Sequence, residues 1–223
     1  MHATKTGTNL SGRLVAFYLI DYYMEHESGR IPLGQAMHNG SMACPVQRKL
    51  IGGFIMKRSE INRLIDETIE WLKVQKVYLP PFAYWTAEEW AEKDAAYNEI
   101  RENMLGWDVT DYGHGNFHKL GLLLFTIRNG NLKNTRYAKP YAEKMLISEV
   151  GQISPNHFHW SKMEDIINRG GGELCIQLWN ATEDDALDDT AVTVRIDGCE
   201  TVLPAGGILR LKPGQSITIP PRL

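Results

Sequence analysis

The sequence predicts a mainly β protein, a small antiparallel barrel preceded by helices, and three observations carry that prediction. Past Trp107, short apolar stretches alternate with turn sequences such as Arg128-Asn129-Gly130-Asn131 and Asp197-Gly198, with no helical pattern between them. Before Trp107 the apolar period is instead helical and is punctuated by capping residues. Within the β-rich part, His157 and His159 stand one residue apart, the spacing that turns two side chains to the same side of a strand.

The elements follow in chain order. Residues 1–55 mix Gly, Ser, His and Pro with short apolar runs of no sustained period, so this segment is expected to be an extension rather than a domain. From Met56 the texture changes. Ser59 is placed to cap a helix whose residues Ile61, Leu64, Ile65, Ile69 and Leu72 share one face. Pro80-Pro81 ends that unit, and Thr86 with Glu89 three residues on has the form of a capping box opening a second helix. Trp90, Ala95, Tyr97, Ile100 and Leu105 would cover the buried side of that helix. Strands are expected at 120–127, 144–150, 174–179, 192–196 and 208–211. The expected organisation is an extension at 1–55, a helical segment at 56–110 and a β-barrel at 111–223.

Composition narrows the function classes. A chain of 223 residues, 43% hydrophobic and 23% charged, has material for one sizeable core or two small ones. Its net charge of −3 and lack of any Lys/Arg run give no attraction for nucleic acid or an anionic membrane, which points to a small neutral or anionic ligand. The apolar stretch at 14–24 is interrupted by Asp21 and is too short to span a bilayer. Cys44, Cys175 and Cys199 are odd in number and widely spaced, arguing against a disulfide framework or zinc ribbon and for the cytoplasm.

The chemical centre is Gly151-Gln-Ile-Ser-Pro-Asn-His157-Phe-His159-Trp-Ser-Lys162-Met-Glu164-Asp-Ile-Ile-Asn-Arg169-Gly-Gly171, which fits G-x5-H-x-H-x4-E-x6-G without a gap. That is the pattern of a cupin metal motif. His157 and His159 would enter the barrel from one strand while Phe158 turns away. Glu164, from the next strand, adds a hard oxygen and a negative charge that suit Mn²⁺, Fe²⁺, Ni²⁺ or Zn²⁺. A bare H-x-H would usually be coincidence, but five positions in fixed register within a β-rich region are not. Three protein ligands leave coordination positions for substrate or water, so the ion should be catalytic. His114 and His118 lack a carboxylate at ligand spacing and read as structural or substrate-facing. A second cupin pattern, G-x5-P-x-G-x2-H, begins at Gly214 with Pro220 in place and Arg222 at the usual Gly. Its His would fall two residues past Leu223, so the expectation is a barrel incomplete at its C-terminus and lacking a fourth ligand.

Three stretches together resemble one family: Met56-Lys-Arg-Ser-Glu-Ile-Asn-Arg63, Leu79-Pro-Pro-Phe-Ala-Tyr-Trp85, and the run from His157 to Gly172 are similar to the D-lyxose isomerases of the cupin superfamily. The resemblance covers 56–223. It implies a Mn²⁺-dependent aldose–ketose isomerase acting on D-lyxose and D-xylulose, and on D-mannose and D-fructose, working as a homodimer. Members of the family begin near Met56, and Gly52-Gly53 is compatible with a ribosome-binding site in the coding DNA, so Met56 is expected to be the start.

Isomerisation moves a proton between adjacent sugar carbons while charge builds on their oxygens, which requires a Lewis acid and a positioned acid/base. Lys162, between the ligands in sequence, is the first candidate for the acid/base and Lys144, on the preceding strand, the second. Arg169 could orient Glu164 or a substrate hydroxyl, or pair with Asp165 at the strand end, and Glu183-Asp184-Asp185 reads as a solvated loop. The same His₂-Glu core also serves metal-dependent dioxygenases and non-catalytic sugar-binding cupins, which oxygen uptake and binding without turnover would reveal.

Overall fold

Helix α1, Arg58–Val74, forms where the apolar period is strongest, and it turns Leu64, Thr68, Trp71 and Leu72 inward. Ile61, Ile65 and Ile69 lie half-buried at the edge of that stripe. The expected Ser59 cap is not used: the N-cap is Lys57, with no side-chain bond, and Ser59 sits inside the first turn. The computed structural model describes residues 2–4, 13–22, 56–131 and 134–223. Cys44 and Gly52-Gly53 lie outside the described residues.

After α1 the chain makes a 3-10 turn at Pro81–Ala83 and then α2, Ala87–Ala91. The capping box is present: Thr86 Oγ1 accepts from the Glu89 N–H at 3.2 Å and the Glu89 carboxylate accepts from the Thr86 N–H at 2.8 Å. The single second helix expected from the sequence is instead broken, because Asp94 accepts from the Ala96 N–H at 2.9 Å and caps a new turn at Ala95–Tyr97 that leads into α3, Asn98–Glu102. A short polar side chain that bonds its own backbone competes with helix continuation. Trp90 and Tyr97 therefore pack edge-on against Trp85, at 5.1 and 5.4 Å between ring centres, rather than against the main core.

The rest is strands. β1 (His2–Thr4), β7 (Glu173–Leu178) and β10 (Gly207–Leu211) make a three-stranded sheet in the order β1-β7-β10. β2 (Arg13–Tyr22), β3 (Gly106–Thr110), β4 (Leu122–Arg128), β5 (Tyr141–Glu149), β6 (Lys162–Gly170), β8 (Val192–Ile196), β9 (Cys199–Leu203) and β11 (Ser216–Ile219) make an eight-stranded one in the order β3-β4-β5-β2-β6-β11-β8-β9. All named ladders are antiparallel. The fold is mainly β and consistent with a cupin-like jelly roll, and among the described residues its sheets do not close into a barrel.

The five expected strands coincide with β4, β5, β7, β8 and β10. β2 falls where the sequence offered no element. Leu-Val-Ala-Phe-Tyr-Leu-Ile is a continuous apolar run that lacks the alternation and flanking turn residues by which the other strands are recognised.

Period-2 alternation gives the large sheet two apolar faces. Odd-numbered residues Leu123, Phe125, Met145 and Ile147 join Leu64, Trp71, Leu72 and Leu79 in an outer core under α1. Even-numbered residues Ala142 and Ile166, with Ile217 of β11, join Leu174, Ile176 and Leu178 of the small sheet in an inner core. Lys144 of β5 and Lys162 and Glu164 of β6 stand on the same face as this inner core.

Candidate active site

Strand β6 places the central pair. Its burial alternates, so Lys162, Glu164, Ile166 and Asn168 point inward and Arg169 stands on the opposite face from Glu164, which removes Arg169 as an orienter of that carboxylate. Glu164 Oε1 lies 2.8 Å from His159 Nε2 and 3.1 Å from Lys162 Nζ, with each of the three side chains no more than 15% exposed. Burial alone would push the Glu164 carboxyl up. The hydrogen bond from His159 and the Lys162 charge outweigh it and hold the carboxyl at about 2.

His157 and His159 were expected on a strand, and the structure differs. Residues 154–159 lie in irregular extended chain, because Pro155 has no N–H to give a ladder. The segment is fixed at both ends instead. Before it, Gly121 N–H donates to Ile153 O at 3.1 Å, and the buried Gln152 amide donates to Phe117 O at 2.7 Å while accepting from Glu149 N–H at 3.0 Å. After it, Arg222 N–H donates to His159 O at 2.8 Å. Arg222 has φ +63°, the left-handed region that favours glycine, at the position where the second cupin pattern places Gly. Its guanidinium lies 5.6 Å from the Phe158 ring and 5.4 Å from the Trp160 ring, so the two aromatics gather on Arg222.

The His157 and His159 rings are 5.2 Å apart. His157 Nδ1 is 2.9 Å from Pro155 O, and since a carbonyl only accepts, Nδ1 carries the hydrogen, the tautomer in which a neutral ring offers its Nε2 lone pair. A carbonyl on the far ring nitrogen is the usual support of a metal-binding imidazole. The donor set of two imidazoles and a carboxylate thus suits a divalent ion in type. As placed, however, no three His, Cys, Asp or Glu among the described residues converge on one point, because Glu164 Oε1 faces His159 and Lys162. Holding an ion requires the Glu164 carboxylate to leave His159 Nε2.

Lys144 reaches the same face from β5. It pairs with Thr126 of β4, and Leu146, two residues on, pairs with Leu124, itself opposite Asp108 of β3. Lys144, Asp108, Lys162 and Glu164 therefore share one face of the sheet. Burial lowers the pKa of both lysines from the ordinary value; the Lys162 charge lowers Lys144 further, while Glu164 partly opposes the shift in each.

Asp108, Tyr112 and Ser154 are residues the sequence reading missed. Partial desolvation raises the Asp108 carboxyl against the pull of Lys144. Burial raises the Tyr112 hydroxyl, opposed by its hydrogen bond with Ser154 and reinforced by Asp108. The signal for Asp108 was a single polar residue between Trp107 and Val109 in a short strand. His118 belongs elsewhere: its Nδ1 is 2.7 Å from Glu149 Oε2, and Glu149 also faces Arg13 at 3.7 Å. His114 is exposed and its N–H donates to Asp111 O at 3.0 Å. Glu183-Asp184-Asp185 is an exposed loop, with Asp185 3.3 Å from Arg222. The buried Cys175 Sγ accepts from the Arg210 guanidinium at 3.3 Å, and Cys199 is exposed.

Residues 56–223 match the family model described as D-lyxose isomerase. The chain belongs to the D-lyxose isomerase family. It is 48% identical over 169 residues to the D-lyxose/D-mannose isomerase of Escherichia coli O157:H7, which covers 75% of this chain and 74% of that protein. It is 46% identical over the same length and shares to the D-lyxose/D-mannose isomerase of Serratia proteamaculans. As a member of the D-lyxose isomerase family the chain is a sugar isomerase, and its matched segment contains α1 to β11 with Lys144, His157, His159, Lys162 and Glu164. Among the described residues no helix is long and apolar enough to cross a membrane.

Proposed function

We propose that this D-lyxose isomerase family member interconverts D-lyxose and D-xylulose, and by the same chemistry D-mannose and D-fructose, with Mn²⁺ or a similar divalent ion, as a homodimer. The observation that carries the reading is the joining of Lys162 and His159 on one buried carboxylate oxygen of Glu164, at 3.1 and 2.8 Å, inside a segment matching a sugar isomerase family.

The residues that would hold the ion are His157, His159 and Glu164. When bound, it supplies Lewis-acid stabilisation of the negative charge that builds on the two sugar oxygens. The chain itself must move the proton. Lys162 in its neutral form takes the proton from the carbon next to the aldehyde, leaving an enediolate, and returns it to the former aldehyde carbon, while the hydroxyl proton of the adjacent carbon passes to the former aldehyde oxygen and leaves a ketone. Burial makes that role accessible by lowering the amine from the ordinary lysine value. Lys144 stands on the same face, and the neighbouring Glu164 and Asp108 charges, which favour its protonated form, suit it to donate to the developing oxyanion. Asp108 and the Tyr112–Ser154 pair offer hydrogen bonds to sugar hydroxyls, as a monosaccharide pocket requires and an apolar oxygenase pocket does not.

The test is direct. Protein loaded with Mn²⁺ and given D-lyxose should form D-xylulose, followed by proton NMR, with no oxygen consumed. Full metal occupancy without ketose formation would end this reading, and oxygen uptake would replace it with dioxygenase chemistry.

A further inference from the structure

β5 carries Lys144 and β6 carries Lys162 and Glu164, yet the two strands are not neighbours in the sheet. β2 lies between them and pairs with both. Tyr18 is opposite Lys144 and Ile166, Ile20 opposite Ala142 and Glu164, and Tyr22 opposite Lys162. The ladder to β5 runs unbroken from Arg13 to Asp21, and the one irregularity toward β6, between Val15 and Ala16, falls at the end away from Lys162 and Glu164.

None of these β2 residues lies in the segment that matches the family model, 56–223. The strand is nevertheless tied to that segment by a side chain. The Arg13 guanidinium is 3.2 Å from Thr68 Oγ1 and 3.3 Å from Glu67 Oε2 on α1, and 3.7 Å from Glu149 Oε1 at the end of β5, with only 15% of the side chain exposed. One residue thus anchors β2 to the helix over the outer core and to the strand beside it.

We infer that Arg13–Tyr22 is the positioning strand of the site: by filling the slot between β5 and β6 it sets the spacing and register of Lys144 against Lys162 and Glu164. The functional half of this inference rests on the proposed sugar isomerase reading of that site, whereas the structural half rests on the ladders alone. Strands in a sheet stand about 4.8 Å apart, so two ladder steps hold β5 and β6 at roughly 9.6 Å. Without β2, either both strands present a row of unpaired N–H and C=O groups next to the site, or they close up by about one spacing of 4.8 Å. Groups that share a substrate tolerate neither, since a misplacement of about 1 Å already costs roughly 10²-fold in rate.

Hydrogen–deuterium exchange on the full chain tests the structural half. Amides of residues 13–22 should be as protected as those of β5 and β6; exchange of 13–22 at the rate of open chain, with β5 and β6 protected, would overturn the inference. Leu19→Pro tests the functional half, because proline removes a ladder donor between the positions opposite the two lysines. It should deprotect both β5 and β6, leave α1 protected, and weaken Mn²⁺ binding and D-lyxose turnover at least tenfold. A synthetic peptide spanning Arg13–Tyr22 added to the variant should restore β5 and β6 protection and Mn²⁺ binding, which a general folding defect would not allow. Unchanged Mn²⁺ affinity and turnover in L19P would overturn the positioning role while leaving the isomerase reading in place. Protected ladders with no turnover in the Mn²⁺-loaded parent chain would end the isomerase reading and leave the strand assignment standing.

Discussion

At the scale of single residues, the site is a set of groups whose environments pull their proton affinities away from ordinary values. Glu164 is held at about 2, because the hydrogen bond from His159 and the charge of Lys162 exceed the penalty of its burial. A carboxyl depressed in the folded state contributes stability above its unfolded value of 4.5, and that contribution is lost as pH falls from about 4.5 toward 2. Denaturant melts at pH 7, 4.5 and 3 should show this loss, and Glu164→Gln should flatten the slope in that window. The same variant should weaken Mn²⁺ binding at least tenfold by calorimetry, since it keeps the shape of the ligand and removes its charge. Lys162→Met should leave a folded protein whose turnover of D-lyxose is lower by about 10²–10⁴-fold, the usual worth of a general acid/base. His157, His159, Glu164, Lys162 and Lys144 could be named as candidates from the sequence, because they are picked out by spacing along one short stretch and on one neighbouring strand, and the structure brings His159, Lys162 and Glu164 together. Asp108 was not, since a lone aspartate has no meaning until β4 and β5 carry its face around to Lys144.

Among elements, strands were read correctly where apolar runs sit between turn residues, and misread where local hydrogen bonding decided. Asp94 breaks a helix whose apolar period continues past it, and Pro155 keeps the histidine segment off the ladder despite an alternation suited to a strand. The turn after β6 is held by one residue. The fully buried Asn168 amide donates to Gly172 O at 2.9 Å and Leu211 O at 2.8 Å, and its oxygen accepts from Gly170 N–H at 3.0 Å. Its own backbone also pairs with Gln215 and Gly214. Asn168 therefore joins β6 to β10 and to the turn that enters β11. Asn168→Ala would strand the buried Leu211 carbonyl and the half-buried Gly172 carbonyl and should cost about 2–4 kcal/mol in chemical denaturation, with Lys162 and Glu164 at the other end of the strand unaffected.

The whole molecule puts one sheet between two cores. The outer core, centred on Phe125 with 0% exposure, is sealed by α1, and the inner core, with Ile166 and Ile217, borders the site. This division predicts separable phenotypes. Phe125→Ala should lower stability by about 3–5 kcal/mol while folded protein keeps its Mn²⁺ affinity, whereas Ile166→Ala should cost about 2–5 kcal/mol and also weaken Mn²⁺ binding, because Ile166 lies two residues from Glu164 on the same face. Both follow from urea melts paired with metal titration. The sequence by itself determined the β class, the helical start of the matched segment and the family, because each is written in local period, spacing or residue type. Only the tertiary structure decided that Glu164 spends one oxygen on both His159 and Lys162, that Lys144 and Asp108 share their face, and that Arg13–Tyr22 runs between the strands of the site. Those facts depend on which strands become neighbours, and neighbours in a sheet are chosen by packing across the fold rather than by any pattern along the chain.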